Sequence, residues 1–339
     1  MNIIITSAGR RSYIVKYFQD ALAGDGLVHA GNSELSAALL AADKYVLTPL
    51  IYDSEYIDFL INYCKSNEIT AILSLFDVDL PVLAMARERF IAESIFPIVS
   101  AYNVIAICND KWETYKFLIS NNFKSPATYI DLYDVMNDIS DGVVQYPVIL
   151  KPRWGMGSVG ISTADNAEEL QILYRKLKND IFKTYLKYES QEDPDKSIII
   201  QEMILGDEYG LDVINDLNQK YVCTFVKRKI AMRSGETDSA ITVNNSPLEN
   251  AGAMLGEKLG HIGNLDVDCF IVDNKPYILE MNCRFGGGYP FSHMAGANIP
   301  LAIIHWLNKK IPPDHILKIK AGVLGVKDIT PIVLKQEIS

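Results

Sequence analysis

The segment YILEMNCRFGGG, residues 277–288, carries the strongest indication of fold and function in this sequence. Its apolar residues are typical of a strand. Because side chains along a strand alternate between the two faces of a sheet, Glu280 and Asn282 point the same way. An apolar segment, residues 267–272, precedes it, and the polar residues 273–276 between the two predict a hairpin turn. With that turn centred on Asn274, Asp268 faces Glu280 across the ladder, with Cβ atoms about 5 Å apart.

Two carboxylates held face to face repel each other unless a proton or a cation lies between them. Asp268, Glu280 and Asn282 offer only oxygen ligands, which suit Mg2+ or Mn2+ rather than zinc. Arg284, one alternation further along, would point its guanidinium at the same place, where it could bind phosphate oxygens. A solvated strand face with ordinary surface charges is the alternative, but the strand is otherwise apolar. We therefore expect a metal and phosphate site here.

Length and charge exclude some classes of protein. A chain of 339 residues exceeds one ordinary hydrophobic core and predicts two or three lobes. Its 49% apolar and 22% charged residues are typical of a globular protein. The formal charge of −10 argues against nucleic-acid binding, because phosphate backbones require a basic surface. No apolar run approaches the roughly 20 residues of a membrane helix, so no membrane partner is expected.

Cysteine and histidine usage fits a reducing compartment. The five cysteines form no CxxC pair, and three of them lie in apolar runs typical of buried thiols. The five histidines show no ligand spacing, which argues against a zinc site. Met1 leads directly into an apolar strand rather than a signal peptide. The expected location is the cytoplasm.

The first 104 residues alternate short apolar runs with amphipathic segments, as in a small parallel α/β lobe. The loop after the first strand, SAGRRS at residues 7–12, lacks the GxGxxG spacing with which dinucleotide-binding folds approach a pyrophosphate. Gly9 with Arg10 and Arg11 could still bind an anionic substrate. A purely structural turn explains the same residues equally well.

Two lysines lie where a phosphate ligand would explain them. Lys111 falls in the first turn of a helix that begins near Asp110, where the helix dipole disfavours a cation; alone, a solvated lysine explains it as well. Lys151 ends an apolar strand, and the following PRWGMGSVG, residues 152–160, lets backbone amides surround an anion. This is not a P-loop, because the lysine precedes the glycines.

Later segments give weaker indications. Residues 201–213 leave one strand and enter another, and the exposed edge between them could bind adenine while Glu208 binds a ribose; alone, a hairpin with a polar tip explains them. Residues 225–237 cluster four cations, among them Arg228 and Arg233. These two arginines and the glycine loop at 286–288 are candidate substrate contacts. We also expect helices over 165–186 and 248–262, a polar loop over 187–196, a loop over 286–298 entering a helix that ends at Leu307, and closing strands at 323–326 and 332–334.

In this order the parts resemble an ATP-grasp enzyme over nearly the whole chain. The chain is similar to the ATP-grasp halves of the carbamoyl phosphate synthetase large subunit, and more closely to stand-alone carboxylate-amine ligases built like them. The resemblance rests on the Glu-x-Asn-x-Arg run at 280–284 together with the apolar-Lys-Pro run at 148–152. It implies an α/β and α+β fold with three parts: an N-terminal parallel α/β pre-ATP-grasp lobe (1–104), a small lid lobe (105–200) and a large lobe (201–339).

The resemblance also implies roles for individual residues. The implied ATP contacts are Lys111, Lys151, Arg153, Gly155, Gly157, Ser158, Gln201, Glu202, Ile204 and Glu208. The implied Mg2+ ligands are Asp268, Glu280 and Asn282. Arg284 would stabilise the transferring phosphoryl group, together with Lys151. Two departures from the family pattern are Asp268, where relatives usually carry Glu or Gln, and Cys283, where they usually carry Pro or Thr.

The predicted reaction is an ADP-forming ligation. A carboxylate attacks the γ-phosphate of ATP to give an acyl phosphate, and an amine then displaces phosphate. Carbamoyl phosphate synthesis itself is not expected, because one copy of this length has no counterpart of the carbamate and glutaminase machinery. Two alternatives are a nucleotide-binding regulatory protein without turnover and a nicotinamide dehydrogenase, which the missing GxGxxG disfavours. The expected partners are a small-molecule carboxylate and amine, and a homodimer is compatible with the sequence.

Overall fold

Three β-sheets, one after another along the chain, form the framework of the protein. The computed structural model describes residues 1–334. The elements of the first part are β1 (Asn2–Thr6), α1 (Ser12–Leu22), β2 (Val28–Asn32), α2 (Ala37–Ala41), β3 (Lys44–Leu47), α3 (Tyr56–Ser66), β4 (Ile69–Ser74), α4 (Asp79–Met85), α5 (Arg87–Ala92) and β5 (Phe96–Pro97). Its strands pair in parallel in the order β3-β2-β1-β4-β5.

The central strand β1 shows why this sheet forms. Its residues Ile3, Ile4 and Ile5 are completely buried, as a parallel strand covered on both faces requires. Ile3 and Ile5 pack with α1, whereas Ile4 packs with α3 and α4 on the other face. The parallel α/β fold expected for the N-terminal part is confirmed, while the proposed boundary at residue 104 stays a prediction.

The middle part is a smaller antiparallel sheet with helices packed on it. Helices α6 (Tyr102–Asn109) and α7 (Lys111–Ser120) lead into it. Its elements are β6 (Thr128–Tyr129), α8 (Leu132–Ser140), β7 (Val148–Pro152), β8 (Ser162–Ala164), α9 (Ala167–Ile181), α10 (Lys187–Ser190), a 3-10 turn (Pro194–Lys196) and β9 (Ile198–Glu202). The strand order is β6-β9-β7-β8.

Two expectations for the middle part need correction. The helix expected over 165–186 is shorter, because the side chain of Asn166 caps its start and the regular helix ends at Ile181. The segment 187–196, expected as a loop, contains the short helix α10 and a 3-10 turn.

The last part is a six-stranded antiparallel sheet. Its elements are β10 (Asp207–Asn215), β11 (Tyr221–Arg233), β12 (Glu236–Thr242), α11 (Ser246–Leu259), β13 (Gly263–Val272), β14 (Lys275–Asn282), α12 (Tyr289–Met294), α13 (Ile299–Leu307), a 3-10 turn (Asp314–Leu317) and β15 (Leu324–Val326). The strand order is β14-β13-β10-β11-β12-β15. The prediction of a large lobe over 201–339 extends five residues beyond the described part of the chain.

The hairpin of β13 and β14 has the predicted pairing only at its far end. Next to the turn Val272 pairs with Lys275, one residue off the predicted register, and a bulge between Asp268 and Cys269 then shifts the register by one residue. Asp268 pairs with Glu280, and Asp266 pairs with Asn282. Asp273 and Asn274 form the turn with φ of 48° and 59°, the two positive values that a two-residue type I′ turn requires. The pairing of Asp268 with Glu280 is therefore confirmed.

The C-terminal segments agree only in part with the expectations. Helix α11 covers 246–259 rather than 248–262, and Gly260 ends it in the left-handed conformation with φ of 64°. The loop at 286–298 contains the additional helix α12. The strand expected at 332–334 was wrong: the side chain of Val333 is 76% exposed, and no neighbouring strand pairs with this apolar run among the described residues.

One hydrophobic core joins the first sheet to the last. Ile4 and Ile72 of the first sheet belong to the same buried cluster as Leu211, Val267 and Met281 of the large sheet. The carboxyl ends of β1 and β4 are thereby held against the hairpin of β13 and β14. Within residues 1–334, no helix has both the length and the apolar character needed to cross a membrane.

Candidate active site

A chamber of about 320 Å3 opens where the three sheets meet. Its floor is the face of the hairpin that carries Asp266, Asp268, Glu280 and Asn282, followed by Arg284. The loops after β1 and β4, the glycine-rich loop, and the ends of β11 and β12 form its walls. The structure therefore brings the predicted metal ligands and Arg284 together in one cleft.

Glu280 and Asn282 have side chains that are available to a ligand. Among the described residues neither side chain makes a hydrogen bond or an ion pair. The burial of Glu280 acts to raise its pKa, but three nearby lysines outweigh this effect and lower the pKa, namely Lys111, Lys151 and Lys229. Glu280 is therefore an ionised carboxylate in a basic environment, as a metal and phosphate site requires.

Asp268 has a partner that the sequence analysis missed. Lys229 of β11 lies 2.6 Å from an oxygen of Asp268 and 2.7 Å from an oxygen of Glu208. Burial raises the pKa of Asp268 to about 6, although Lys229 opposes the shift. The ammonium of Lys229 thus joins a predicted metal ligand to the predicted ribose ligand. The alternation along β11, which puts Lys227 and Lys229 on one face, was the signal that could have identified it.

Lys151 is buried without a carboxylate partner. Lys151 is the second-last residue of β7 and is 4% exposed. No acidic oxygen of the described chain lies within 4.0 Å of its Nζ. Burial lowers the pKa of Lys151 to about 8, Glu280 opposes this shift, and Lys111 adds to it. An unpaired buried ammonium is costly, and a bound anion would offset this cost.

Lys111 reaches the same place from the start of α7. Its Nζ donates a hydrogen bond to the carbonyl oxygen of Gly155 in the glycine-rich loop. A small cavity next to the chamber is lined by Lys111 together with Glu280 and Asn282. Lys111 therefore reaches the hairpin of β13 and β14. Lys151 lines neither this cavity nor the chamber, but it lies near enough to Glu280 for the two charges to shift each other's pKa.

Arg153 anchors the glycine-rich loop rather than projecting into the chamber. Its guanidinium bonds both oxygens of Asp110, at 2.7–2.9 Å, and Asp110 also caps α7. Gly155 lines the small cavity and Gly157 lines the chamber, whereas Ser158 lines neither of them. The loop is thus fixed at the end that carries Arg153 and reaches over the cleft at its glycines.

The predicted adenine residues lie at the end of β9 and in the link that follows it. Gln201 donates a hydrogen bond to Thr128, and its buried Oε1 accepts none within the described chain. Glu202 accepts a hydrogen bond from the amide of Ala127 at 3.1 Å. Ile204 is half-buried in the link to β10. These residues lie together, but Glu208 is already bound by Lys229.

The structure does not bring Arg228 and Arg233 into the chamber. Arg228 lies 3.6 Å from Asp207 with 43% of its side chain exposed, and Arg233 pairs with Asp238 with 48% exposed. Arg228 points away from the cleft because it alternates with Lys227 and Lys229 on β11. Both arginines therefore occupy the outer surface, and the substrate contacts expected from them stay predictions.

Asp77, which the sequence analysis missed, and Arg11, which it named as a possible anion contact, also line the chamber. Asp77, in the loop after β4, accepts hydrogen bonds from Nε and Nη2 of Arg284 at 3.0 and 2.9 Å. Arg284 also bonds Asp266 at 3.0 Å, and its pKa is raised, with both carboxylates outweighing burial. Arg11 donates to the carbonyl of Phe285 at 2.7 Å and pairs with Glu236 at 3.3 Å. No short sequence motif marks these partners.

The chain matches two family models. A model of the ATP-grasp domain matches residues 108–288, and a model of the PylC-like N-terminal domain matches residues 3–98. Carbamoyl phosphate synthase large chain from Helicobacter pylori is 24% identical over 220 residues, which cover 61% of this chain and 19% of that one. The same protein from Pseudothermotoga lettingae is 22% identical over 298 residues, 82% of this chain and 24% of that one. The chain thus spans about a quarter or less of these relatives.

Solved structures share the fold at low sequence identity. L-amino acid ligase from Bacillus licheniformis has a TM-score of 0.71 at 19% identity, covering 92% of this chain and 76% of that one. Biotin carboxylase from Campylobacter jejuni, in complex with an ATP analogue, has a TM-score of 0.73 at 16% identity, covering 94% and 73%. Because the ATP-grasp model matches more than half of its length, this chain belongs to the ATP-grasp family.

Proposed function

We propose that this protein is an ADP-forming ligase that activates a substrate carboxylate with ATP and joins it to an amine. One observation supports the proposal above all others. Lys111 lines the same cavity as Glu280 and Asn282, and Lys151 lies near enough to Glu280 for each to shift the pKa of the other. This supports a site in which Lys111, with Lys151 close to Glu280, would bind a triphosphate whose metal Glu280 and Asn282 would hold.

The oxygen donors fit Mg2+, with Mn2+ as the nearest substitute. Asp268 and Glu280 face each other in the hairpin, and the side chain of Asn282 has no partner among the described residues. Mg2+ held by these carboxylates would neutralise part of the negative charge of the ATP phosphates. Lys229 must shift its hydrogen bond when Asp268 binds a metal, and Glu208 is the partner that it keeps.

The chemistry proceeds in two displacements. An oxygen of the substrate carboxylate attacks the γ-phosphorus while the bond to ADP breaks, which gives an acyl phosphate. The lone pair of the neutral amine nitrogen then attacks the acyl carbon, the bond from this carbon to the phosphate oxygen breaks, and one proton passes from the nitrogen to the departing phosphate. Lys111, Lys151 and Arg284 would neutralise the phosphate oxygens, so the protein contributes position and charge rather than a covalent intermediate of its own.

The glycine-rich loop would exclude water from the acyl phosphate. A Cβ added to Gly235 would lie 2.4 Å from the carbonyl oxygen of Gly157, so this loop contacts the turn between β11 and β12. The contact closes one side of the chamber. An acyl phosphate exposed to solvent would hydrolyse before the amine arrived.

The proposed function also assigns the contacts of the nucleotide base and ribose, the location and the partners. Gln201, Glu202 and Ile204 would surround the adenine, and Glu208 would hold the ribose. The five cysteines are free thiols, which fits the proposed cytoplasmic location. The partners would be small molecules, a carboxylate and an amine, and a homodimer is the proposed assembly.

A screen for ADP release tests the proposal. Amino acids and other carboxylates, singly and in pairs, are incubated with Mg2+ and ATP. We expect release with at least one pair, and Glu280→Gln to abolish it while the melting temperature stays unchanged. Glu257→Gln, at an exposed position of α11, is the matched control. Calorimetric ATP binding without ADP release across the screen would instead indicate a regulatory nucleotide-binding protein.

A further inference from the structure

Two of the five cysteines lie in contact beside the candidate active site. Cys108 is in the last turn of α6, and Cys283 directly follows β14. The two residues are 175 positions apart in sequence, yet their Sγ atoms are 3.3 Å apart. Both are free thiols, and each residue is only 5% exposed. The fold therefore brings together two thiols for which the proposed reaction has no use.

A disulfide between Cys108 and Cys283 requires a small shift rather than a rearrangement of the fold. The S–S distance in a disulfide is about 2.05 Å, so the two sulfurs would have to approach by about 1.2 Å. Helix α6 packs against β14, so the two backbone segments already lie side by side. Rotation of the two side chains with a slight movement of the backbone would supply this approach.

Both cysteines adjoin residues on which the proposed phosphate and metal site depends. Cys283 lies between Asn282, a predicted metal ligand, and Arg284. Cys108 precedes Asp110, which caps α7 and binds the glycine-rich loop through Arg153. A misplacement of about 1 Å at a reacting centre can lower turnover about 100-fold. Closing the disulfide would therefore displace groups on two sides of the cleft at once.

The small cavity next to the chamber gives a small oxidant a route to Cys108. This thiol lines the cavity together with Lys111 and Asn282, and the volume of about 20 Å3 accepts a molecule the size of water. Hydrogen peroxide is only slightly larger than water, whereas glutathione disulfide is too large to enter. The thiol of Cys283 and burial raise the pKa of Cys108, so little thiolate is present and oxidation is slow. The pair therefore stays reduced until a peroxide persists.

We propose that a peroxide converts Cys108 and Cys283 into a reversible disulfide, and that this disulfide switches the candidate active site off. The disulfide itself is independent of the reaction catalysed, whereas its effect on turnover rests on the proposed ligase function. The inference thus adds a modification site and a means of regulation to that function.

The oxidation takes two steps. The sulfur of Cys108 attacks one oxygen of hydrogen peroxide, the O–O bond breaks, and the departing hydroxide takes the thiol proton and leaves as water. The sulfur of Cys283 then attacks the resulting sulfenic sulfur, the S–O bond breaks, and a second water leaves with the second thiol proton. Two thiols and one peroxide give one disulfide and two waters. A dithiol such as dithiothreitol reverses the change by thiol exchange.

Mass spectrometry of the wild-type protein tests whether the disulfide forms. The protein is treated with hydrogen peroxide, alkylated and digested without reduction. We expect a pair of peptides joined through Cys108 and Cys283, which dithiothreitol separates. Cys223 is the internal standard, because it is the more exposed thiol. Absence of the joined pair at peroxide concentrations that oxidise Cys223 would overturn the proposal.

Calorimetric titration with Mg-ATP tests the effect of the disulfide on the site. Oxidised wild type should bind Mg-ATP at least about tenfold more weakly than reduced wild type, because the phosphate and metal ligands are displaced, and dithiothreitol should restore the affinity. Cys283→Thr carries the residue that related sequences usually have there, and its affinity should be the same before and after peroxide. Cys108→Ser is the second variant and should behave likewise.

A further cysteine variant excludes damage elsewhere in the chain. Cys223→Ser keeps the buried pair and should lose affinity on oxidation as wild type does. Equal loss of affinity in Cys283→Thr and wild type would overturn the proposal, as would a disulfide that leaves the affinity for Mg-ATP unchanged.

The switch and the ligase function can fail separately. A disulfide that weakens Mg-ATP binding in a protein that releases no ADP with any carboxylate and amine would retain the switch and refute the ligase function. ADP release that peroxide leaves unchanged would retain the ligase function and refute the switch.

Discussion

Two buried lysines near the cleft, Lys151 and Lys227, differ in their partners, and the difference separates structural from functional charge. Lys227 of β11 is 1% exposed and lies 2.5 Å from Asp212, which also accepts a hydrogen bond from Ser292. Lys151 is 4% exposed and has no carboxylate within 4.0 Å in the described chain. A buried lysine that is already neutralised stabilises the fold only with its partner. A buried lysine without a carboxylate partner could instead be neutralised by an anionic ligand.

The largest effect on stability is expected when the buried ion pair of Lys227 with Asp212 is broken. Lys227→Met leaves the carboxylate of Asp212 buried without its cation, so the free energy of unfolding should fall by about 3–5 kcal/mol. Urea denaturation followed by circular dichroism measures it. The double variant Lys227→Met/Asp212→Leu is the control and should recover most of the loss, because no unpaired charge remains. A loss below about 1 kcal/mol in the single variant would remove the contrast between the two lysines.

The pH dependence of ATP binding should identify Lys151. Its pKa of about 8 lies below the ordinary value for lysine, so the ammonium is fully charged only below that pH. The affinity for Mg-ATP should therefore fall above pH 8, approaching tenfold per pH unit for one proton. Lys151→Arg should move the fall to higher pH. Calorimetric titrations from pH 7 to 10 would contradict the assignment if the affinity stayed constant.

The stability of the folded protein should rise with pH over the range in which its affinity for Mg-ATP falls. Because the folded pKa of Lys151 is below its unfolded value, the unfolded chain binds more protons between about pH 8 and 10. The contribution of Lys151 to the free energy of unfolding therefore rises with pH in this window. The difference between wild type and Lys151→Met isolates it from other titrating groups. A difference that is flat with pH would show that the folded pKa is unshifted.

The smallest effects are expected from the two exposed arginines. On the outer surface Arg228 pairs with Asp207, and Arg233 pairs with Asp238. An exposed ion pair of this kind contributes about 0–1 kcal/mol to stability. Arg228→Ala and Arg233→Ala should each change kcat/KM less than about twofold and stability by less than about 1 kcal/mol. Steady-state ADP release measures the first quantity. A loss above tenfold in either variant would support the substrate contact predicted from the sequence.

The features that could be predicted from the sequence are those that a local pattern of residues determines. The alternation that puts Glu280 and Asn282 on one face followed from the sequence, but the bulge that brings Glu280 opposite Asp268 did not. A two-residue turn at 273–274 alone would pair Asp268 with Leu279. The buried strand ending in Lys151 followed from its apolar run. Both features depend on residues close together in the chain.

Long-range partners could not be predicted in this way. Asp77 and Arg284 are 207 residues apart, and their contact depends on how the first sheet packs on the last. The cluster at 225–237 was interpreted by charge alone, although alternation along β11 separates Arg228 from Lys227 and Lys229. The segment 332–334 was apolar enough for a strand, but no strand within residues 1–334 pairs with it.

The central claim is that Lys151, which is buried and has no acidic partner within residues 1–334, binds the phosphates of ATP together with the hairpin of β13 and β14. Calorimetric titration of wild type and Lys151→Met with Mg-ATP tests it most directly, with melting temperature as the measure of folding. The account predicts that Lys151→Met binds Mg-ATP at least about tenfold more weakly, as loss of a charge-assisted contact implies, and melts at the same or a higher temperature. Equal affinities for Mg-ATP in the two proteins would contradict it.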